Sequence, residues 1–401
     1  MLIEWALRTC PLILAATIFL PSSVIAITLA ETSSPSEAFH QGLHFLNKEE
    51  FSAAAAAFTE SLKSGDRPEV LAARAEAYYH LRYYDRALED ISRSLQLDPN
   101  SDYSYILRAA IYDRIGKIQN AIDDLTFAIN INPQRSISYR MRGAGYLSTG
   151  QNEKALDDLN RAIVLGERSP AVYENRVLAY EALGRYDEAV RDLTILSQRD
   201  PSHPNVLLHR AWSYSCLRDF HNSLVDLEII LTNAPHNISA RLLRAWVYLE
   251  TSNYKRALED LHYSLEHGSR SPWLFLNLAA AHYYLGNLEA AYLANDKAIN
   301  LNDDRIKGDA IFQKGLFLLL QGKADDARKV YDFGCLYAIA SSNADALTDA
   351  IDDIKKAIQS NETSTAAASP ILELLIETKK ILQSKPGPTQ YKRCQSPRPA
   401  I

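Results

Sequence analysis

Residues 136–168 read SISYRMRGAGYLSTGQNEKALDDLNRAIVLGER. Apolar residues recur here at helical i, i+3 and i+4 spacing on two stretches, with Gly150 between them. That pattern predicts two amphipathic helices joined by a tight turn. Ala155 stands 34 residues from Ala121 and from Ala189, and the beat extends back to Ala87 and on through Ser223 to Ala257 and Ala291.

Other positions keep the same period. Tyr78, Tyr112, Tyr146, Tyr180, Tyr214 and Tyr248 form one ladder, and Ile91, Leu125, Leu159, Leu193, Leu227 and Leu261 another. Small residues at Ala75, Ala109, Gly143, Ala211 and Ala245 let the two helices of a unit approach closely, and the tyrosines fill the space between helices. Pro99, Pro133, Pro201 and Pro235 stop the second helix before the next unit begins. One helix pair cannot bury its apolar face alone, so the units must stack.

The stretch at 136–168 carries Tyr139, Gly143, Tyr146, Gly150, Ala155, Leu159 and Ala162, and the next carries Tyr173, Tyr180, Gly184, Tyr186, Ala189, Leu193 and Pro201. At these positions the chain resembles the tetratricopeptide repeat family. The resemblance implies an all-α, right-handed superhelical solenoid of about nine repeats: 35–68, 68–101, 102–135, 136–169, 170–203, 204–237, 238–271, 272–305 and 308–341. Asp345 to Ser360 and Pro370 to Ser384 read as two further helices within 342–384, placed to cap the array, with 361–369 as a loop and Pro370 at the start of the second helix. Residues 385–401 are basic and proline-rich and are expected to be a disordered tail.

Residues 1–30 stand apart. Arg8 precedes an apolar run, and Val24-Ile-Ala26 and Thr28-Leu-Ala30 both fit a signal cleavage site. An uncleaved anchor is the alternative, because no charge interrupts residues 9 to 30. Either reading sends the repeats out of the cytoplasm, to a periplasmic or secreted location, or leaves them anchored on its outer side. Cys216, Cys335 and Cys394 have no disulfide spacing, and the first two are expected to pack as small apolar groups.

With 401 residues, 47% of them hydrophobic, the chain can bury a large core, and its net charge of −6 gives no reason to expect nucleic acid. No phosphate loop, nucleophile elbow, His-Glu-x-x-His helix or Cys-x-x-Cys pair is present, so neither an enzyme nor a cofactor nor a metal is expected. His40 and His44 share a helix face, yet no third ligand follows at a useful spacing.

Two charged ladders keep the beat. Arg74, Arg108, Arg142, Arg176, Arg210 and Arg244 lie on first helices, and Asp90, Asp124, Asp158, Asp192, Asp226 and Asp260 follow sixteen residues later on second helices. They are expected to pair and fix helix register, rather than to serve as a binding ladder.

The resemblance also implies that partners bind in a concave groove lined by first helices. Its inward positions carry Glu69, Glu76, Asp113, Arg114, Arg140, Glu174 and Glu181 in the middle repeats. Leu208, Trp212, Leu242, Trp246, Leu249, Trp273, Leu276, Tyr283 and Tyr284 follow in the later ones. The aromatic stretch is either a groove for a protein or peptide segment or part of the core. Beyond residue 300, Phe312, Leu316, Leu319 and Leu320 are expected to be covered by the terminal helices. The carboxylate clamp of some family members has no counterpart at Phe39, His40, Leu43, Ala72, Ala73, Glu76, Ile106, Leu107 and Ala110. These features together suggest an exported, non-catalytic scaffold or adaptor. The alternatives are a holdase for unfolded chains and an anchored part of an envelope assembly.

Overall fold

A computed structural model describes residues 37–383, apart from 302, 304, 305, 342, 343 and 361. The signal or anchor at 1–30 and the basic tail with Cys394 lie outside the described residues. Among the described residues the chain is all-α. It divides into two compact units, Met1–Leu196 and Ser197–Ile401.

In the first unit the helices come as consecutive pairs: α1 (Glu37–Asn47) with α2 (Phe51–Leu62), α3 (Pro68–His80) with α4 (Tyr84–Leu97), and α5 (Asp102–Arg114) with α6 (Ile118–Ile131). They continue with α7 (Ser136–Ser148) and α8 (Asn152–Val164), then α9 (Pro170–Ala182) and α10 (Tyr186–Arg199), whose last residues pass the division. The second unit holds α11 (Pro204–Cys216) with α12 (Phe220–Asn233), α13 (Ile238–Glu250) with α14 (Tyr254–Glu266), and α15 (Pro272–Tyr284) with α16 (Leu288–Asn300). Four helices follow: α17 (Lys307–Leu320), α18 (Ala324–Ser341), α19 (Ala344–Gln359) and α20 (Thr365–Gln383).

Local signals start these helices. Pro68, Pro170, Pro204 and Pro272 open first helices, where their fixed φ suits the first turn and their missing N–H is no loss. Ser101 and Asn237 cap α5 and α13 by accepting the backbone N–H of Ser104 (3.2 Å) and Ala240 (3.0 Å). Between the helices of a pair the chain turns through one left-handed residue. Gly116, Gly150, Gly184 and Gly286 hold that place with φ of 71° to 80°. Arg82, Arg218 and Ser252 hold it elsewhere, with φ of 60° to 61°.

A side chain with a Cβ is strained there. Arg82→Gly is therefore expected to stabilise the first unit by about 0.5–1 kcal/mol, after allowing for glycine's greater freedom when unfolded. A lower thermal midpoint in that variant contradicts the turn's role.

Packing within a pair depends on small residues. A Cβ on Gly143 would come within 2.9 Å of Leu159 Cγ, and Ala155 and Leu159 are fully buried behind it. The 34-residue alanine ladder is buried in the same way at Ala87, Ala121, Ala155 and Ala189, and at Ala257 and Ala291 in the second unit.

The end of the second unit refines one expectation. The last helix begins at Thr365, so Pro370 lies inside it rather than at its start. Ser364 is the starting residue: its Oγ accepts the N–H of Ala367 at 3.2 Å. Pro370 is tolerated because it stands only in the second turn, where it forfeits a single backbone hydrogen bond.

The link from α19 to α20 spans only residues 360–364, which makes the two helices antiparallel neighbours. α19 packs on α17, and α20 on α18. Phe312, Leu316 and Leu319 are thereby buried with Leu347, Ile351 and Ile354. The terminal helix pair both continues the stack and covers the first-helix face at α17. Cys335 is buried in this core and Cys216 half-buried beside Trp212 and Leu227; neither forms a disulfide.

A docked ladder, a closed tryptophan core and an open cavity

All six Arg–Asp pairs form. Nε and Nη2 of each arginine donate to the two carboxylate oxygens of its aspartate, at 2.6–2.9 Å, in the parallel fork that guanidinium favours. The aspartate side chains are 2–9% exposed and the arginines 16–21%. The remaining nitrogen, Nη1, reaches back to the preceding second helix in four units. It meets Thr59 (3.1 Å), Thr126 (3.1 Å), Asn160 (2.8 Å) and Ser197 (2.6 Å). In the first unit Arg74, Arg142 and Arg176 each therefore tie three helices together.

Tyrosines complete the arrangement. The guanidinium carbons of Arg108, Arg142 and Arg176 each lie between two tyrosine rings, 5.6–6.0 Å from the centroids. The aspartate hydrogen bonds hold Arg74, Arg108, Arg142, Arg210 and Arg244 above the ordinary arginine pKa. These charges are satisfied inside the scaffold and leave nothing for a ligand to pair with.

In the first unit the inward-register charges divide. Glu76 is 2% exposed and accepts the Tyr103 hydroxyl at 2.6 Å. Burial pushes its carboxyl from 4.5 up to about 7, and the Tyr103 hydrogen bond offsets only part of that rise. Arg140 is also buried; desolvation lowers its pKa, with Glu167 a distant partner at 4.0 Å. Arg114 donates to the Tyr79 hydroxyl at 3.2 Å.

The Glu76 shift has a definite sign. A carboxyl whose pKa rises on folding binds its proton more tightly in the folded state. The stability of the protonated form is then lost as pH climbs from about 4.5 to about 7. Glu76→Gln keeps an acceptor for Tyr103 and has no charge to bury. It is expected to stabilise the first unit at pH 8 by roughly 1–3 kcal/mol and to change little at pH 4.5. Urea unfolding at the two pH values checks this, and an equal effect at both contradicts it.

In the second unit the aromatic stretch splits into two parts. Trp212, Trp246 and Trp273 are 4%, 2% and 7% exposed, and Leu208, Leu242 and Leu276 are equally buried. Leu249 is half-buried against the same core. The Trp212 and Trp246 rings meet at 5.9 Å, and Phe220 closes on Trp246 edge-on at 6.3 Å. Large side chains on successive first helices fill one another's space. The trio is therefore core, and offers no open groove to a segment or to unfolded chains.

Tyr283 and Tyr284 are different. They line a cavity of about 530 Å³ together with Leu288, Leu320, Asp353, Lys356 and Glu362. The Tyr283 hydroxyl donates to Glu362 Oε2 at 3.0 Å, and burial with that carboxylate raises its pKa. Tyr284 is half-exposed and stacks on Tyr254 at 4.7 Å and 10°. Partial burial, then the Asp353 charge, Tyr254, and the charges of Glu250 and Glu362 push its phenol up to about 12. The site joins two first-helix tyrosines to Asp353 and Lys356 of α19 and to Glu362 in the link after it. In the sequence the tyrosines are marked by their register and α19 by its amphipathic pattern, with nothing to join the two. Asp353, Lys356 and Glu362 were missed, because only the docking of α19 on α17 brings them there.

Among the described residues no three His, Cys, Asp or Glu side chains are grouped to hold a metal ion, and no helix is long and apolar enough to cross a membrane. Repeated helix pairs held in register by buried ion pairs define a helical-repeat protein, a class that generally serves as a non-catalytic protein-interaction scaffold. Two tetratricopeptide repeat families match the chain, one over residues 68–101 and one over residues 140–204. Over those two stretches the chain carries tetratricopeptide repeats.

Solved structures of such proteins are similar to it at low identity. A tetratricopeptide repeat protein from Parabacteroides merdae is 18% identical, covering 61% of this chain and 97% of its own, with a TM-score of 0.43. A thermophilic repeat protein from Thermus thermophilus is 22% identical over 45% of this chain and 98% of its own, with a TM-score of 0.37. MamA is 28% identical over 38% of this chain and 89% of its own, with a TM-score of 0.36. Among curated proteins none matches the chain.

Proposed function

We propose that the chain is an exported, non-catalytic adaptor that holds a protein or peptide segment on the second unit, with the Tyr283–Glu362 cavity as its anchor point. One observation carries this reading. Of the aromatic first-helix positions, Tyr283 and Tyr284 stay accessible at a cavity while the tryptophans do not. Aromatic rings that combine a large contact area with a polar tip are the usual anchors of protein interfaces. The export part rests on the apolar run after Arg8 and its small-residue ends. N-terminal sequencing of the mature protein tests it: a start near residue 27 or 31 supports cleavage, and an intact Met1 on soluble cytoplasmic protein sinks export.

The binding part is tested with a partner co-purified in stoichiometric amount and titrated back onto the purified chain. Tyr284→Ala combined with Glu362→Gln is expected to weaken binding by about tenfold or more without lowering the thermal midpoint. Unchanged affinity in a folded double variant removes the cavity as the anchor.

A further inference from the structure

The cavity has the chemistry of a cation site. Tyr283 and Tyr284 line it with electron-rich rings, one face of Tyr284 being stacked on Tyr254, and Asp353 and Glu362 supply two carboxylates against the single cation of Lys356 in the lining. A guanidinium or ammonium between such groups is attracted by both. Residues 384–401 of the same chain carry Lys385, Lys392, Arg393 and Arg398 and no acidic residue.

The geometry of α19 and α20 sets how far the cavity lies from Gln383, the last described residue before this segment. The helices are antiparallel, so Gln383 at the end of α20 lies beside the start of α19, whereas the cavity lies at the end of α19. The 16 residues of α19 separate those points by about 24 Å. Nine residues of extended chain, from Gln383 to Lys392, span about 30 Å. Pro386 and Pro388 favour an extended path over that interval. Lys385 is too close to Gln383 to reach; Lys392 and Arg393 are the first cations that can.

We propose that residues 384–401 dock along α19 in the same molecule and place Lys392 or Arg393 in the Tyr283–Glu362 cavity, so that the chain occupies its own anchor point until a partner displaces it. The inference shares its cavity with the function proposed above. Its test uses this chain alone, so failure to find a partner leaves it standing or falling separately.

Trypsin cleavage after Lys392 and Arg393 in the full chain reads the occupancy. Docking protects both bonds, so Asp353→Asn combined with Glu362→Gln is expected to speed cleavage about tenfold, and Tyr284→Ala to do so on its own. An added peptide of residues 384–401 should speed cleavage of the unaltered chain by competition. Equal rates in the unaltered chain and in variants that keep its thermal midpoint overturn the proposal. So does protection that grows with protein concentration, which assigns the cavity to the segment of a second copy.

Discussion

Asp226→Ala is expected to cost the second unit about 2–4 kcal/mol, far more than loss of an ordinary surface ion pair. Asp226 is 2% exposed, and both its oxygens are taken by Arg210. Removing it leaves a guanidinium with 16% of its side chain exposed and only Ser197 as a hydrogen-bond partner from the pair's surroundings. The cost is the stranded charge rather than the lost attraction, since desolvation offsets much of the latter. Replacing both partners, Arg210→Met with Asp226→Leu, should therefore recover most of the loss. Asp326→Ala is the control: its pair with Lys329 is 60% and 77% exposed, and the change should be nearly silent. Tryptophan fluorescence during urea unfolding follows all three variants. A double replacement as unstable as the single one would show that the pair contributes net stability.

Trp246→Ala is expected to be more damaging, at about 3–5 kcal/mol. The indole is 2% exposed and packs against Trp212 and Phe220, so its loss leaves a cavity that rigid neighbouring helices cannot fill. Its Nε1 is buried without a hydrogen-bond acceptor. Trp246→Phe removes that unpaired donor along with part of the volume, and should cost markedly less, about 1–2 kcal/mol. Thermal unfolding separates the two. Alanine and phenylalanine variants of equal, near-normal stability would mean that the position faces an open groove. An alanine variant of Trp212, Trp246 and Trp273 together is likewise expected to unfold the second unit, so its loss of a partner would not report on contacts.

Periodicity made most of the scaffold legible. Alanine, tyrosine and leucine at a 34-residue spacing specify which helix faces touch, and the Arg and Asp ladders name their partners, because each pair closes within one unit. What periodicity could not decide was whether an inward-register residue meets solvent or its own neighbours. Trp212 and Trp246 occupy equivalent places one unit apart, and only their bulk, seen together, closes the face between them. The cavity was half-legible for a related reason. Tyr283 was readable from its register, but Glu362, 79 residues away, arrives through the packing of α19 on α17, which no repeat predicts. Pro370 misled because proline marks a helix start in four of the repeats, whereas here Ser364 holds the cap.

The most direct test of where function lies is site-specific photo-crosslinking. A photoreactive residue is placed at Tyr284 in one variant and at Val225, an exposed position next to ladder residue Asp226, in another, in cells that make the full chain. A partner anchored at the cavity gives a discrete protein adduct from position 284 and none from position 225. Adducts from position 225 with none from 284 would put the partner on the scaffold instead and contradict the division between scaffold and site.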